Sequence, residues 1–442
     1  MTSLLVRGGV LVDERQARPA DVLIHDGRVA QILDPGHGQT ADATLDASGL
    51  HVLPGLVDAH VHFNEPGRTD WEGFLSGTSA AAAGGVTTVC DMPLNAHPPT
   101  LDGRALALKL ASIGQHAYVD YACWGGVIPD SIDRLAQLKA GGVVGVKAFL
   151  CDSGLAEYPP LDSFALVDAM QRCAELDVLL ALHAENAEAT HRLAEEARAN
   201  GATEPLAWAR SRPPETELSS VRWALELAGE TGARVHFVHI STAAAAHAIA
   251  AARSDGLDIS VETCPHYVSL DEADLQQLGG FAKCAPPLRS PTIRAELWQA
   301  VLDGTIDFIA SDHSPCPPSM KDTPDIWSAW GGISGVQTTL PVLLTQGLPL
   351  PAVANLTSAN PARRLGLYPR KGALQPGSDA DLVLLDADRT WTLSEDALLT
   401  RWKTSPFRGR QLRGRVEATL VRGTLVFQGG AIVGRAGHGQ RL

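Results

Sequence analysis

Six side chains in this sequence could hold a metal ion or carry charge into a buried place: His60, His62, Lys147, His183, His239 and Asp312. His60 and His62 stand two apart in Asp-Ala-His-Val-His. On an extended strand they point to one side, the geometry by which two imidazoles grip one metal. Such a pair is also common among ordinary buried and surface histidines. Lys147 lies inside Val-Val-Gly-Val-Lys-Ala-Phe, where an unpaired ammonium is strongly disfavoured. It can pair with a carboxylate, or burial can depress its pKa and make the amine reactive. A neutral amine can form a Schiff base. It can also take up carbon dioxide as a carbamate, an anionic oxygen ligand able to bridge two divalent ions. His183 and His239 read either as ligands or as ordinary strand-end histidines. His236, three residues before His239, is expected to face the other way along its strand. Asp312, ahead of His313-Ser314-Pro315, can bind metal and act as a general base, or cap a loop.

The elements that must position these residues are legible as an alternation. Strand-like runs fall at 51–58, 86–92, 119–124, 143–149, 178–183, 235–240, 259–264 and 306–312. Helical stretches lie between them, at 71–83, 104–115, 163–175, 187–198, 217–230, 242–253 and 292–302. Eight βα units indicate a closed (β/α)8 barrel, with an open doubly wound sheet as the competing arrangement. The six candidates then fall at the carboxyl ends of strands one, four, five, six and eight, where active sites of a barrel sit. The Ala-rich patches at 80–83 and 243–246 read as close-packing helix surfaces. No repeat longer than the βα unit is evident. The two ends of the chain differ from the middle. Runs at 4–12, 21–33 and 44–52 are β-like, with Gly8-Gly9 and Asp26-Gly27 as turns. So are 380–386 and 419–429, the latter resembling the opening 5–13 segment. The expected division is a small β-sandwich module from residues 1–53 plus 370–442, and a barrel over 54–369.

A chain of 442 residues with 45% apolar content is long enough for one large barrel and a small module. The net charge of -14, without blocks of like charge, argues against a nucleic-acid or anionic-membrane surface. The seven cysteines are odd in number, scattered and free of any CxxC, which suits a reducing cytosol and argues against a disulfide framework or a thiolate zinc site. Residues 1–13 lack a charged leader with an apolar run, and no apolar stretch reaches the ~18 residues of a membrane span. A soluble cytoplasmic protein is the expectation.

Together these residues resemble the cyclic-amide branch of the amidohydrolase superfamily: dihydroorotases, hydantoinases or dihydropyrimidinases, and allantoinases. The resemblance covers essentially the whole chain, from Leu53-Pro54-Gly55-Leu56-Val57-Asp58-Ala59-His60-Val61-His62 to the terminal β module. Its motifs are most similar to those of the allantoinases at 63–74, at Asp91-Met92-Pro93-Leu94-Asn95 and at Cys264-Pro265-His266-Tyr267. Further matches are Lys283-Cys284-Ala285-Pro286-Pro287-Leu288-Arg289, 311–318 and 330–337.

The resemblance implies that His60, His62, a carboxylated Lys147, His183, His239 and Asp312 hold two divalent metals with a bridging hydroxide. Zinc is the expected metal, with cobalt, manganese or iron as substitutes, and carbon dioxide supplies the Lys147 carboxylate. It implies hydrolysis of (S)-allantoin to allantoate, with Asp312 as proton shuttle, in a homotetramer. Substrate contacts would come from Asn64, Asn95, Cys284, Ala285, Pro286, His313, Gly331 and Gly332. Dihydroorotases carry an arginine where this chain has Asn64. An asparagine cannot give a carboxylate the bidentate grip of a guanidinium. Hydantoinase or dihydropyrimidinase activity is the closest alternative, and a non-catalytic superfamily scaffold is the alternative of another class.

Overall fold

Parallel strands carry the middle of the chain in the computed structural model, which describes residues 3–442. Met1 and Thr2, which open the stretch read for a leader, lie outside the described residues. Eight parallel strands are labelled among those described: β1 (Leu56–Val61), β2 (Val86–Asp91), β3 (Asp120–Cys123), β4 (Val146–Phe149), β5 (Leu180–His183), β6 (Val235–Phe237), β7 (Ile259–Thr263) and β8 (Phe308–Ile309). They form two arcs, β3-β2-β1 and β4-β5-β6-β7-β8, with a Gly125–Gly126 extension outside β4. The arcs touch at both ends. Val144 N–H donates to Cys123 O at 3.0 Å, and His62 N–H donates to His313 O at 2.7 Å. The fold is therefore mixed α/β. Residues of β1, β2 and β4 are buried throughout, as expected of parallel strands covered on both faces.

Helices follow most strands, and their starts are set by side-chain caps. Asp102, Asp162, Asn186, Thr242 and Ser290 each accept from an amide in the first turn of the helix that follows. Each such cap contributes about 1 kcal/mol. The Ala-rich patch 80–83 is fully buried, and Ala243, Ala245 and Ala246 are buried too, which fits close packing. No helix among the described residues is long and apolar enough to cross a membrane.

Two expected elements differ. The run 51–58 is not one strand. His51–Pro54 pairs with Leu382–Thr392 and Val10–Val12, and only Leu56–Val61 enters the parallel arcs. The break is at Gly55, where any Cβ would lie 2.1 Å from Thr87 Oγ1. The run 419–429 is a hairpin between Gln411–Val421 and Thr424–Gln428. Its turn is Arg422-Gly423, with φ of 46° and 71°, the conformation that matches the twist of two strands.

The chain ends build two further sheets. The four-stranded one contains Arg28–Leu33, Asp21–His25, Ser3–Arg7 and Ala43–Asp46 in that order. The seven-stranded one joins N-terminal strands to the C-terminal hairpins. Val22, Ile24, Val52, Leu382, Leu384 and Leu420 belong to one buried cluster there. Fully buried Lys371 ties this part to β3: its ammonium lies 2.5 Å from Asp120, 2.8 Å from Asp381 and 3.1 Å from Asp379.

Candidate metal centre

All six candidate side chains line one cavity of about 580 Å³. His60 is on β1 and His62 one residue beyond it. Lys147 is on β4, and His183 is the last residue of β5. His239 and Asp312 stand past the ends of β6 and β8, each in left-handed backbone, with φ of 41° and 44°. Such a conformation is uncommon for non-glycine residues and collects at functional sites. It breaks the alternation of the strand. For this reason His236 does not face away from His239's neighbourhood, as its spacing suggested. Its Nε2 lies 3.1 Å from Glu262 Oε2, while His60 Nδ1 lies 2.6 Å from Glu262 Oε1.

The hydrogen bonds around His60 and His62 assign their lone pairs. His60 Nδ1 meets the Glu262 carboxylate, and His62 Nδ1 meets Leu94 O at 2.6 Å. Burial raises a carboxyl such as Glu262, yet the His60 and His236 rings hold it down at about 2. Both partners are acceptors, so both Nδ1 atoms carry the proton and both Nε2 atoms present bare lone pairs. Those two Nε2 atoms lie 3.2 Å apart, and each is 3.3 Å from Asp312 Oδ1. Burial keeps His60 below the ordinary histidine pKa, although Asp312 and Glu262 pull it up. Three electron-rich atoms thus converge on one point, an arrangement that asks for a cation.

A second pair stands beside the first. His183 Nδ1 and His239 Nε2 are 3.1 Å apart, and the His60 and His239 ring centres are 5.5 Å apart. His183 Nε2 donates to Glu185 Oε2 at 2.7 Å, and Arg212 holds the same oxygen at 2.6 Å. Burial opposes charge on His183, but Cys151 and Glu185 raise it to about 9. A proton on Nδ1 satisfies both rings. A divalent ion fits the same gap, and taking it up releases that proton. Lys147 completes the ring of six. Its Nζ is buried with no hydrogen-bond partner and lies 5.2 Å over the Phe149 ring. Burial pushes its pKa down to about 8 against the pull of Asp312 and Glu262. Among the described residues, no carboxylate pairs with it closely enough to be the salt-bridge alternative.

Among the residues expected to contact substrate, Asn95, Cys284, Ala285, Gly331 and Gly332 line the cavity. Three do not. Asn64 is buried behind it, with Nδ2 donating to Pro315 O at 3.2 Å and Oδ1 accepting from Asn95 at 3.1 Å. Its φ of 64° explains an asparagine there; it braces Asn95. His313 points outward, because Asp312 takes the inward direction. Its Nδ1 accepts from the Gly335 amide at 3.1 Å, and its Nε2 faces Glu72 at 3.7 Å. Pro286 uses its carbonyl on the Tyr267 hydroxyl.

Sequence reasoning missed Glu262 and Glu185, which orient the rings of two of the four candidate histidines, His60 and His183. Each had a signal. Glu262 is a carboxylate within a strand-like run, Ile259–Thr263, whose residues are all buried. Glu185 repeats, two residues after His183, the spacing of His60 and His62. Replacing Glu262 by glutamine (Glu262→Gln) keeps the shape and loses the charged acceptor on His60. Metal affinity is expected to fall about 10–100-fold, read by titration against a competing chelator. Unchanged affinity would remove Glu262 from this role.

The amidohydrolase-family profile matches residues 51–426. An allantoinase of Deinococcus radiodurans is 45% identical, over 98% of this chain and 96% of its own. An allantoinase of Rubrobacter xylanophilus is 46% identical, over 98% and 96%. Among solved structures, an L-hydantoinase (dihydropyrimidinase) from Arthrobacter aurescens superposes with a TM-score of 0.97 at 33% identity, covering 100% of this chain and 99% of that one. A dihydropyrimidinase from Brevibacillus agri gives 0.91 at 30% identity, covering 100% and 98%.

Proposed function

The chain belongs to the amidohydrolase family, and from that membership we propose that it hydrolyses the ring amide of allantoin to allantoate at a centre of two divalent metals. The observation that carries the substrate is the full-length identity to allantoinases, well above the identity to hydantoinases that share the backbone almost completely. Backbone likeness reports the fold, whereas side-chain identity in the cavity reports the substrate.

In this reading the two arcs close into a (β/α)8 barrel over residues 54–369, and 1–53 with 370–442 form the β module. His60, His62 and Asp312 would hold one metal and His183 and His239 the other, and Lys147, once carboxylated, would supply an anionic oxygen ligand to the pair. Carboxylation joins the Lys147 nitrogen to the carbon of carbon dioxide and releases one proton. The orphaned, buried amine with a lowered pKa supports that step. Nitrogen and oxygen donors of this kind suit zinc, and also accept cobalt, manganese or iron. Bound metals supply a Lewis acid and acidify water.

The chain's own residues do the rest. Water adds its oxygen to the ring carbonyl carbon, and the ring C–N bond breaks. Asp312 Oδ accepts a proton from the attacking water and delivers it to the departing ring nitrogen, which is too poor a leaving group as an anion. The second proton is lost as the new carboxylic acid ionises. Glu262, Leu94 O and Glu185 hold the imidazole tautomers. Asn95 and the backbone at Cys284-Ala285 orient the ring, and Gly331-Gly332 its ureido arm. A homotetramer in the cytoplasm is the expected setting.

A side-by-side assay of zinc-replete enzyme on allantoin, hydantoin, dihydrouracil and dihydroorotate tests the substrate. A site built to hydrogen-bond the ureido arm should favour allantoin in kcat/KM by about 100-fold or more. Equal or faster turnover of hydantoin would hand the function to the hydantoinase reading.

A further inference from the structure

One wall of the cavity is a strip of consecutive residues, 327–332. It carries little regular structure, lying between a turn at Pro318–Met320 and the helix Thr339–Thr345. Its carbonyls are gathered onto two ammonium groups. Lys283 Nζ donates to Ile326 O at 2.8 Å and Ala329 O at 2.6 Å. Lys321 Nζ donates to Gly332 O at 2.6 Å and Trp330 O at 3.2 Å. Amides of the strip are held too: Gly332 donates to Lys283 O at 2.8 Å, Trp330 to Met320 O at 2.8 Å and Ile326 to Thr203 O at 3.0 Å. Gly332 sits at φ 121°, and a Cβ there would lie 2.3 Å from Ser314 O, so the strip packs as closely as backbone can.

Both lysines are buried, at 5% and 2% exposure. Buried ammonium groups are costly, and apolar side chains could fill the same space without that cost. The surroundings of Lys283 do not neutralise it. Burial pushes it down to about 7, Arg212 and Lys321 push the same way, and Asp325 pulls up. Its Nζ also lies 4.2 Å over the Trp208 ring, another cavity-lining residue. Directional hydrogen bonds to four carbonyls are what the two charges provide and what an apolar filler could not. They fix the path of an irregular backbone beside the metal ligands.

We propose that Lys283 and Lys321 are positioning residues that clamp the 326–332 strip, and that the clamped strip selects which arm on the substrate ring the cavity accepts. The selection half rests on the cyclic-amide hydrolase reading; the clamp does not. Neither lysine touches a metal-ligating residue, so the metal centre keeps its geometry when the clamp is released. The ring should still bind and react, while discrimination by the arm is lost.

The test compares wild type with Lys283→Met and Lys321→Met. Hydrogen exchange is followed by mass spectrometry, and kinetics on allantoin and on unsubstituted hydantoin. Exchange in 326–332 should speed up about tenfold in Lys283→Met, with the rest of the chain unchanged. KM for allantoin should rise about tenfold with kcat and metal content held, while hydantoin kinetics stay as in wild type. Unaltered exchange in a folded variant overturns the clamp. Faster exchange with both substrates affected alike overturns the selection. Should Lys283→Met fail to fold, Lys321→Met decides by the same two readings. A wild type inactive on allantoin would sink the functional reading while leaving the exchange result to judge the clamp.

Discussion

Lys147→Ala leaves a folded chain that no longer holds its metals and no longer turns over substrate. The expectation follows from what the side chain costs and what it supplies. A buried amine without a hydrogen-bond partner contributes nothing to the metal-free fold. Removing it should leave the melting temperature in chelator unchanged or raised. The loss appears only when metal is added, because two divalent ions side by side need an anionic bridge between them. Metal catalysis is worth several kcal/mol of transition-state stabilisation. At about 1.4 kcal/mol per decade, its loss is a thousandfold or more in rate. Elemental analysis of the purified variant gives the metal count. Two metals per subunit and ordinary turnover would end the carbamate assignment. A second check uses the wild type: metal-stripped enzyme should recover activity slowly in buffer freed of carbon dioxide and quickly after bicarbonate is added.

Asp312→Asn tests the proton's route. The amide keeps the carboxylate's shape and size, so its packing is preserved. It has no negative charge for His60 and His62 and cannot take a proton at neutral pH. Asp312 Oδ1 lies 3.3 Å from both His60 Nε2 and His62 Nε2, so the substitution changes the one group that faces both rings. General acid–base transfer contributes typically 10²–10⁴-fold, and kcat should fall by about three to four decades. The comparison must be made at saturating substrate and with metal content measured in parallel, since Asp312 also serves as a ligand. A near-normal kcat in the metal-loaded variant would remove Asp312 from the proton's path.

Much of the fold was legible because its signals are local. The βα alternation is written in apolar runs and caps, and every expected strand of the middle has a counterpart in the parallel arcs. The boundary between the terminal sheets and the arcs was harder. Residues 51–58 read as one apolar run, and nothing in that run reveals that Gly55 passes too close to Thr87 for a side chain. Residues 419–429 concealed a hairpin because its turn is Arg422-Gly423, a pair less suggestive than Asp26-Gly27. Asn64 was legible as a residue, but its bond to Asn95, 31 positions on, was not.

The sequence by itself determined which side chains stand at the carboxyl ends of the strands, since strand register and strand ends follow from residue-level periodicity. It also determined the oddity of Lys147, because a lysine in an apolar strand is visible without coordinates. Only the tertiary structure decided which nitrogen of each histidine is free. His60 takes its tautomer from Glu262, 202 positions away, and His62 from the carbonyl of Leu94 on another segment. Only the fold, too, turned His239 and Asp312 inward through left-handed backbone, and brought two lysines to the carbonyls of one cavity wall. Lone-pair direction and charge burial depend on partners that the chain brings together by folding, and no spacing along the chain encodes them.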